Sequence, residues 1–177
     1  MNKIIALIGM PGCGKSEAVK FFEKRGYKKV YFGEVVMDEI KRLGLVVNEE
    51  NEKNTRENLR KEFGMAAMAI KSIDKIDKFY ETSNVVIESL YSWEEYKVLK
   101  QKYMDNIKLL CIYTTKEIRY KRLIDRPFRP LSRLQAESRD IAEIENLNKG
   151  GPIAFTDYTE INDGSLDDLM KQLKKYL

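Results

Sequence analysis

At 177 residues, 43% hydrophobic and 34% charged, the chain has the length and balance of a single domain, residues 1–177, with a core of its own, and no apolar run approaches the roughly 20 residues that cross a bilayer. Two cysteines make no disulfide framework, and the lack of histidine removes histidine acid–base chemistry and histidine-ligated metals from the options. The net charge of +4 is unevenly placed: Lys116 to Arg139 holds eight lysines and arginines against three acidic residues, so the rest of the chain is close to neutral.

In chain order, Lys3 to Ile8 is a continuous apolar run, as in a buried parallel strand. It begins so early that no signal peptide is expected, which points to the cytoplasm. Gly9-Met10-Pro11-Gly12-Cys13-Gly14-Lys15-Ser16 then fits the phosphate-binding pattern G-x-x-x-x-G-K-[ST] at every fixed position. Glycines let the backbone wrap an anion with its N–H groups inward, Lys15 brings charge to the outer phosphates, and Ser16 offers a hydroxyl to Mg²⁺. Ala18, Val19 and Phe22 recur at helical spacing behind it.

A short strand is predicted over Lys29–Phe32 and a helix from Glu34 to Leu43, closed by Gly44. Asn48 to Ser72 reads as one helix with Leu59, Phe63, Ala66, Ala67 and Ile70 as its apolar stripe, and a short helix follows over Asp74–Thr82. Val85–Ile87 is the third strand, with Glu88 at its end. Ser92 and Glu95 form a capping box. Ile107–Tyr113 is the fourth strand. The next helix, capped by Thr114 or Thr115, is stopped or bent by Pro127 and Pro130. A helix resumes near Leu134 and ends at Gly150-Gly151-Pro152; Tyr158–Ile161 is the fifth strand, and the last helix starts at Ser165. Alternating strands and helices imply an α/β fold with a parallel sheet covered on both faces, whose ligands bind at the carboxyl ends of the strands. The phosphate loop, Glu34, Glu88 and the basic segment then surround one crevice.

Glu88 reads either as the carboxylate that orients Mg²⁺, as a contact to a substrate hydroxyl, or as a strand-end charge in solvent. Arg119, Arg122 and Arg126 share a helix face and suit a lid that clamps phosphates, Arg122 and Arg126 above all. A solvated basic face is the alternative. Arg56 and Arg60, one helical turn apart, can grip an acceptor or pair with nearby Glu57 and Glu62. Gly33-Glu34 can admit an acceptor to the backbone or be a plain strand-to-helix turn.

These residues resemble the nucleoside monophosphate kinases, adenylate kinases in particular: the loop Gly9–Ser16, Gly33-Glu34, the strand Val86-Ile87-Glu88, and the helix Arg119 to Arg126 that looks like the entry to their lid. The tail Thr156 to Leu166 is closer to dephospho-coenzyme A kinases, and the whole chain is similar to small archaeal adenylate-kinase-related proteins. The resemblance implies a three-layer α/β/α P-loop NTPase fold with a five-stranded parallel sheet in the order 2-3-1-4-5, an acceptor-binding region at 33–84 and a lid at 119–140. It implies ATP and Mg²⁺ as cofactors and a nucleotide or nucleotide-like small molecule as phosphoryl acceptor. Lys15, Arg122 and Arg126 would be catalytic. Gly33, Glu34, Arg56, Arg60 and Glu88 would bind substrate, with Ser16 and Glu88 on the metal. Two places depart from the pattern: Met37 and Tyr91 stand near positions where adenylate kinases carry acceptor-gripping arginines. The alternatives are a dephospho-coenzyme A kinase, a nucleotide-binding regulatory module that transfers nothing, and an RNA-associated ATPase using Lys116–Arg139. The low overall charge argues against nucleic acid as a partner.

Overall fold

The computed structural model describes residues 2–177. Strands β1 (Ile4–Ile8), β2 (Lys28–Tyr31), β3 (Val85–Glu88), β4 (Ile107–Tyr113) and β5 (Tyr158–Ile161) form one sheet in the order β2-β3-β1-β4-β5, every pair parallel, as expected. The central strand is buried along its whole length because both faces are covered, which is why it reads as an unbroken apolar run. On the edge strands only Val30 of β2 and Glu160 of β5 are buried. Ala6 lies level with Ile87 and Tyr31 with Glu88, while Ile8 faces Cys111. The carboxyl ends of β1, β3 and β4 therefore finish along one rim, and the loops that leave them share it.

Helices α1 (Lys15–Glu23), α2 (Gly33–Arg42), α3 (Glu49–Phe63), α4 (Ala67–Tyr80), α5 (Trp93–Tyr103), α6 (Lys116–Asp125), α7 (Arg133–Glu145), α8 (Gly150–Ala154) and α9 (Leu166–Leu173) connect and cover the strands. One core joins α1 and α9 to the sheet through Val19, Phe22, Leu7, Leu169 and Leu173. The other joins α2, α4 and α5 to the opposite face through Ile40, Ala69, Ile76, Leu99 and Ile87. Phe22 and Leu7 are fully buried, and each such side chain contributes about 1.5–3 kcal/mol relative to exposure.

Two boundaries differ from the sequence expectation. The single helix expected over Asn48–Ser72 is broken at Gly64, which has φ +74°. A second helix then starts at Ala67 and runs straight through Asp74, where a new helix was expected, because Ser72 and Ile76 both pack into the core. The helix expected from Leu134 to Gly150 stops at Glu145. Asn148 takes φ +51°, and Gly150-Gly151-Pro152, read as a terminator, instead opens the short α8. Proline fits there because the first turn of a helix needs no N–H from it. The capping box at Ser92 and Glu95 is present as predicted.

Candidate nucleotide site

The loop Gly9–Ser16 leaves the buried end of β1 and runs into the first turn of α1, whose amides point along the axis without intrahelical acceptors. Three of its glycines are required by their surroundings, among them Gly12, φ +80°, whose Cβ would stand 2.7 Å from the Arg119 carbonyl oxygen. A Cβ at Gly9, which has φ +143°, would stand 2.4 Å from the Ile112 carbonyl oxygen, and one at Gly14, φ +100°, would stand 2.4 Å from Asn162 Nδ2. Below the loop, Asn162 Nδ2 donates to the Cys13 carbonyl at 2.8 Å, with the Thr114 hydroxyl 3.2 Å from the same oxygen. The Cys13 carbonyl is thus held from beneath, within the run Met10, Pro11, Gly12 and Cys13. Cys13 is buried and unpaired, as is Cys111 in β4.

Lys15 Nζ donates to the carbonyls of Gly9 at 2.6 Å and Met10 at 3.0 Å. Ser16 is exposed at the crevice, and its hydroxyl lies 3.4 Å from Glu88 Oε1. Lys29 Nζ approaches the other oxygen of Glu88 at 3.8 Å. Hydroxyl and carboxylate oxygens side by side are hard donors that suit Mg²⁺, which takes few protein ligands and completes its shell with phosphate and water. The residues present therefore fit a phosphate-bound magnesium. Among the described residues no group of three or more Cys, Asp and Glu gathers as a metal cage.

Arg119, Arg122 and Arg126 do not form one helical face. Arg119 is buried and forms a two-pronged ion pair with Asp140 of α7, at 3.0 and 2.6 Å, while the same guanidinium donates to the Pro11 carbonyl at 3.0 Å. Arg122 reaches Thr114 Oγ1 and the Gly164 carbonyl, both at 3.4 Å. Arg126 lies beyond the helix, in extended backbone before Pro127, and donates to the carbonyl of Arg129. Of the three, Arg119 grips the phosphate loop, Arg122 stands beside its support, and Arg126 is held on the Arg129 carbonyl in the 126–130 turn.

On the β2–β3 side, Gly33 opens α2 under the ring of Tyr31, which a Cβ would meet at 2.3 Å, and Glu34 is ion-paired with Lys75 of α4. Arg56 and Arg60 are half-buried one turn apart on α3, and Arg60 feels the charge of Glu95. Glu95 is fully buried: Oε2 accepts the backbone N–H groups of Tyr91 (2.7 Å) and Ser92 (3.0 Å), while Oε1 and the nearby Arg60 Nε have no hydrogen-bond partner. Burial pushes the Glu95 carboxyl up to about 7 against the pull of those two N–H groups and of Arg60. Since the unfolded carboxyl titrates near 4.5, the folded chain holds the extra proton between those values. Stability from this group is complete below about pH 4.5 and is lost as pH rises through about 7, by up to about 3 kcal/mol. Glu95→Gln should remove that slope, as read by urea unfolding at pH 5 and pH 8. An unchanged slope would show that another group carries it.

Sequence reasoning passed over two groups here. Asp140 is hidden by its place in an apparently amphipathic helix, and Lys149, followed by two glycines, reads as a helix ending. Lys149 is in fact 1% exposed, ion-paired with the buried Glu143 of α7.

Strand, glycine loop and helix, set in this sheet order, define a P-loop protein with a kinase-type fold. The AAA-domain family matches residues 5–148, and the chain belongs to that family and to the UPF0200 proteins. A UPF0200 protein of Thermococcus kodakarensis is 34% identical over 176 residues, covering 97% of this chain and 95% of its own length. One from Methanococcus maripaludis is 31% identical over 181 residues, covering 99% and 96%. Among solved structures, dephospho-CoA kinase from Campylobacter jejuni superposes with a TM-score of 0.60 at 18% identity, covering 99% of this chain and 96% of that one. Among the described residues no helix is long and apolar enough to cross a membrane.

Proposed function

We propose that this chain is a cytoplasmic P-loop kinase that moves the γ-phosphoryl group of ATP to a nucleotide or nucleotide-like small molecule. The observation that carries this reading is the meeting of the Ser16 hydroxyl with the Glu88 carboxylate at the mouth of the Gly9–Ser16 loop. In it, the loop amides and the α1 N-terminus receive the β- and γ-phosphates. Lys15 exchanges its two carbonyl partners for phosphate oxygens. Magnesium held by Ser16 and Glu88 with phosphate oxygens would neutralise charge that builds on the leaving diphosphate. Arg122, already beside Thr114 and the loop, adds a cation toward the transferring group, and Arg126 reaches it when the 119–140 segment closes as a lid.

The acceptor lies against the 33–84 region in a single-domain kinase, between Gly33-Glu34 and the Arg56–Arg60 face, with Tyr31 and Tyr91 as its ring surfaces. No covalent intermediate is needed, because positioning and electrostatic stabilisation carry most phosphoryl transfer. A coupled assay with ATP·Mg²⁺ against AMP, other nucleoside monophosphates and dephospho-coenzyme A tests the proposal. Turnover with one of them supports it and names the acceptor. Nucleotide binding with no transfer to any acceptor favours a regulatory module instead.

A further inference from the structure

We propose that α7 pairs antiparallel with α7 of a second copy of this chain, through Leu134, Ile141 and Ile144. None of the three has a part in nucleotide or acceptor binding, so the pairing and the kinase reading stand or fall separately.

For a surface helix, α7 is turned inside out. Its inner face buries Ala136 with two carboxylates, Asp140 and Glu143, while Leu134, Ile141 and Ile144 are 79%, 49% and 52% exposed. A surface helix ordinarily does the reverse. The outward apolar residues are not scattered. Leu134, Glu137, Ile141 and Ile144 follow one another at steps of three, four and three, the spacing of a seam between two helices. Glu137, the polar member, has its carboxylate drawn to Lys116 at 2.8 Å. Past Ile144 the apolar surface continues into an open hollow of about 480 Å³, which Ile144 lines together with Trp93, Gly151 and Phe155. Phe155 is 61% exposed and stands edge-on to Trp93, with ring centres 5.4 Å apart. One face thus carries a projecting apolar ridge and, beside it, a place to receive one.

The charges at the two ends of α7 select the occupant. A helix favours acids near its amino end and bases near its carboxyl end. α7 has no acid in its first turn and no base in its last; it begins with Arg133 and ends with Glu145, both exposed. The ion pairs of this helix join Arg133 to Glu117, Glu137 to Lys116, Asp140 to Arg119, and Glu143 to Arg139 and Lys149. Among the described residues, Glu145 has no such partner. An antiparallel copy corrects both ends at once. Glu145 comes level with the amino end and Arg133 of the second α7, and Arg133 with its carboxyl end. The same register sets Leu134 opposite Ile144 of the second copy, at the Trp93–Phe155 hollow, and Ile141 opposite Glu137, whose methylenes it covers. A two-fold axis repeats every contact, so the interface closes at two copies. A parallel pair would instead bring Glu137 against Glu137 and like-charged ends together.

The test is sedimentation velocity of the full chain from about 1 to 100 μM, the range suited to an interface at the small end of specific pairings. Wild type should sediment as a dimer at the upper concentrations. Leu134→Lys/Ile141→Lys, which changes only exposed side chains, should raise the dissociation constant at least about a hundredfold. Its thermal unfolding midpoint at low concentration, equal to that of wild type, shows that it is folded. Disulfide trapping reads the register. Leu134→Cys/Ile144→Cys should give covalent dimers under mild oxidation. Leu134→Cys alone should give none, because the two copies of residue 134 lie about 15 Å apart in this register, beyond the reach of a disulfide. The native Cys13 and Cys111 are buried and do not compete. Wild type that stays monomeric throughout the range overturns the proposal. A dimer that survives the double lysine variant does the same, as does any other cross-linking pattern.

Discussion

Lys15→Ala is expected to lower phosphoryl transfer by on the order of 10³-fold or more while leaving the fold in place, a magnitude typical of removing a preorganised charge from a transition state. The activity loss follows from position. Lys15 is the one residue of the loop that combines a full positive charge with a first-turn place on α1, and its ammonium already lies along the inside of the loop, on the Gly9 and Met10 carbonyls. The fold should survive because those two carbonyls are only half-buried partners, and such bonds contribute about 1 kcal/mol each. Circular dichroism and thermal unfolding check the fold, and the coupled assay checks the rate. A variant with wild-type turnover would contradict the role given to Lys15.

The second large effect is on stability. Arg119→Met should cost about 3–5 kcal/mol, because it strands the buried Asp140 carboxylate without its partner. For a chain of this length that is a fall in unfolding midpoint of roughly 10 °C. It also removes the donor that holds the Pro11 carbonyl, so nucleotide affinity should drop even where the protein stays folded. Arg119→Met/Asp140→Leu separates the two effects: stability should return in large part, since a buried apolar pair is often as good as an ion pair, but affinity should not. A midpoint within a degree or two of wild type for the single variant would show that Asp140 finds another partner.

What the sequence made legible was whatever rests on short-range pattern. The loop is fixed by spacing, β1 by its apolar run, the α5 and α9 starts by their capping residues, and the sheet order came with the resemblance. What it hid was set by tertiary contact. Gly64 divides α3 from α4, but the chain around it keeps a helical period on both sides, so the break is invisible without knowing that Ser72 and Ile76 must reach the core. Arg119, Arg122 and Arg126 fall on one helical face by counting. The helix ends before Arg126, and α7 packs a carboxylate against Arg119, so three similar residues have three different partners. Lys149 gave no signal at all, because its burial depends on the α7 carboxylates and on Tyr91, each distant in pattern if not in space. Asn162 was in view, within the Thr156–Leu166 tail, but its amide bond to the Cys13 carbonyl is a contact only the fold supplies.

In the proposed kinase the turn between β1 and α1 is the receptor for a triphosphate chain. Isothermal titration of the wild-type protein with purine nucleotides and magnesium tests that most directly. Binding of a non-hydrolysable triphosphate with measurable heat, absent for adenosine and lost in Lys15→Ala, is the expected result. No heat with any purine nucleotide, at protein concentrations where the fold is intact, would contradict it.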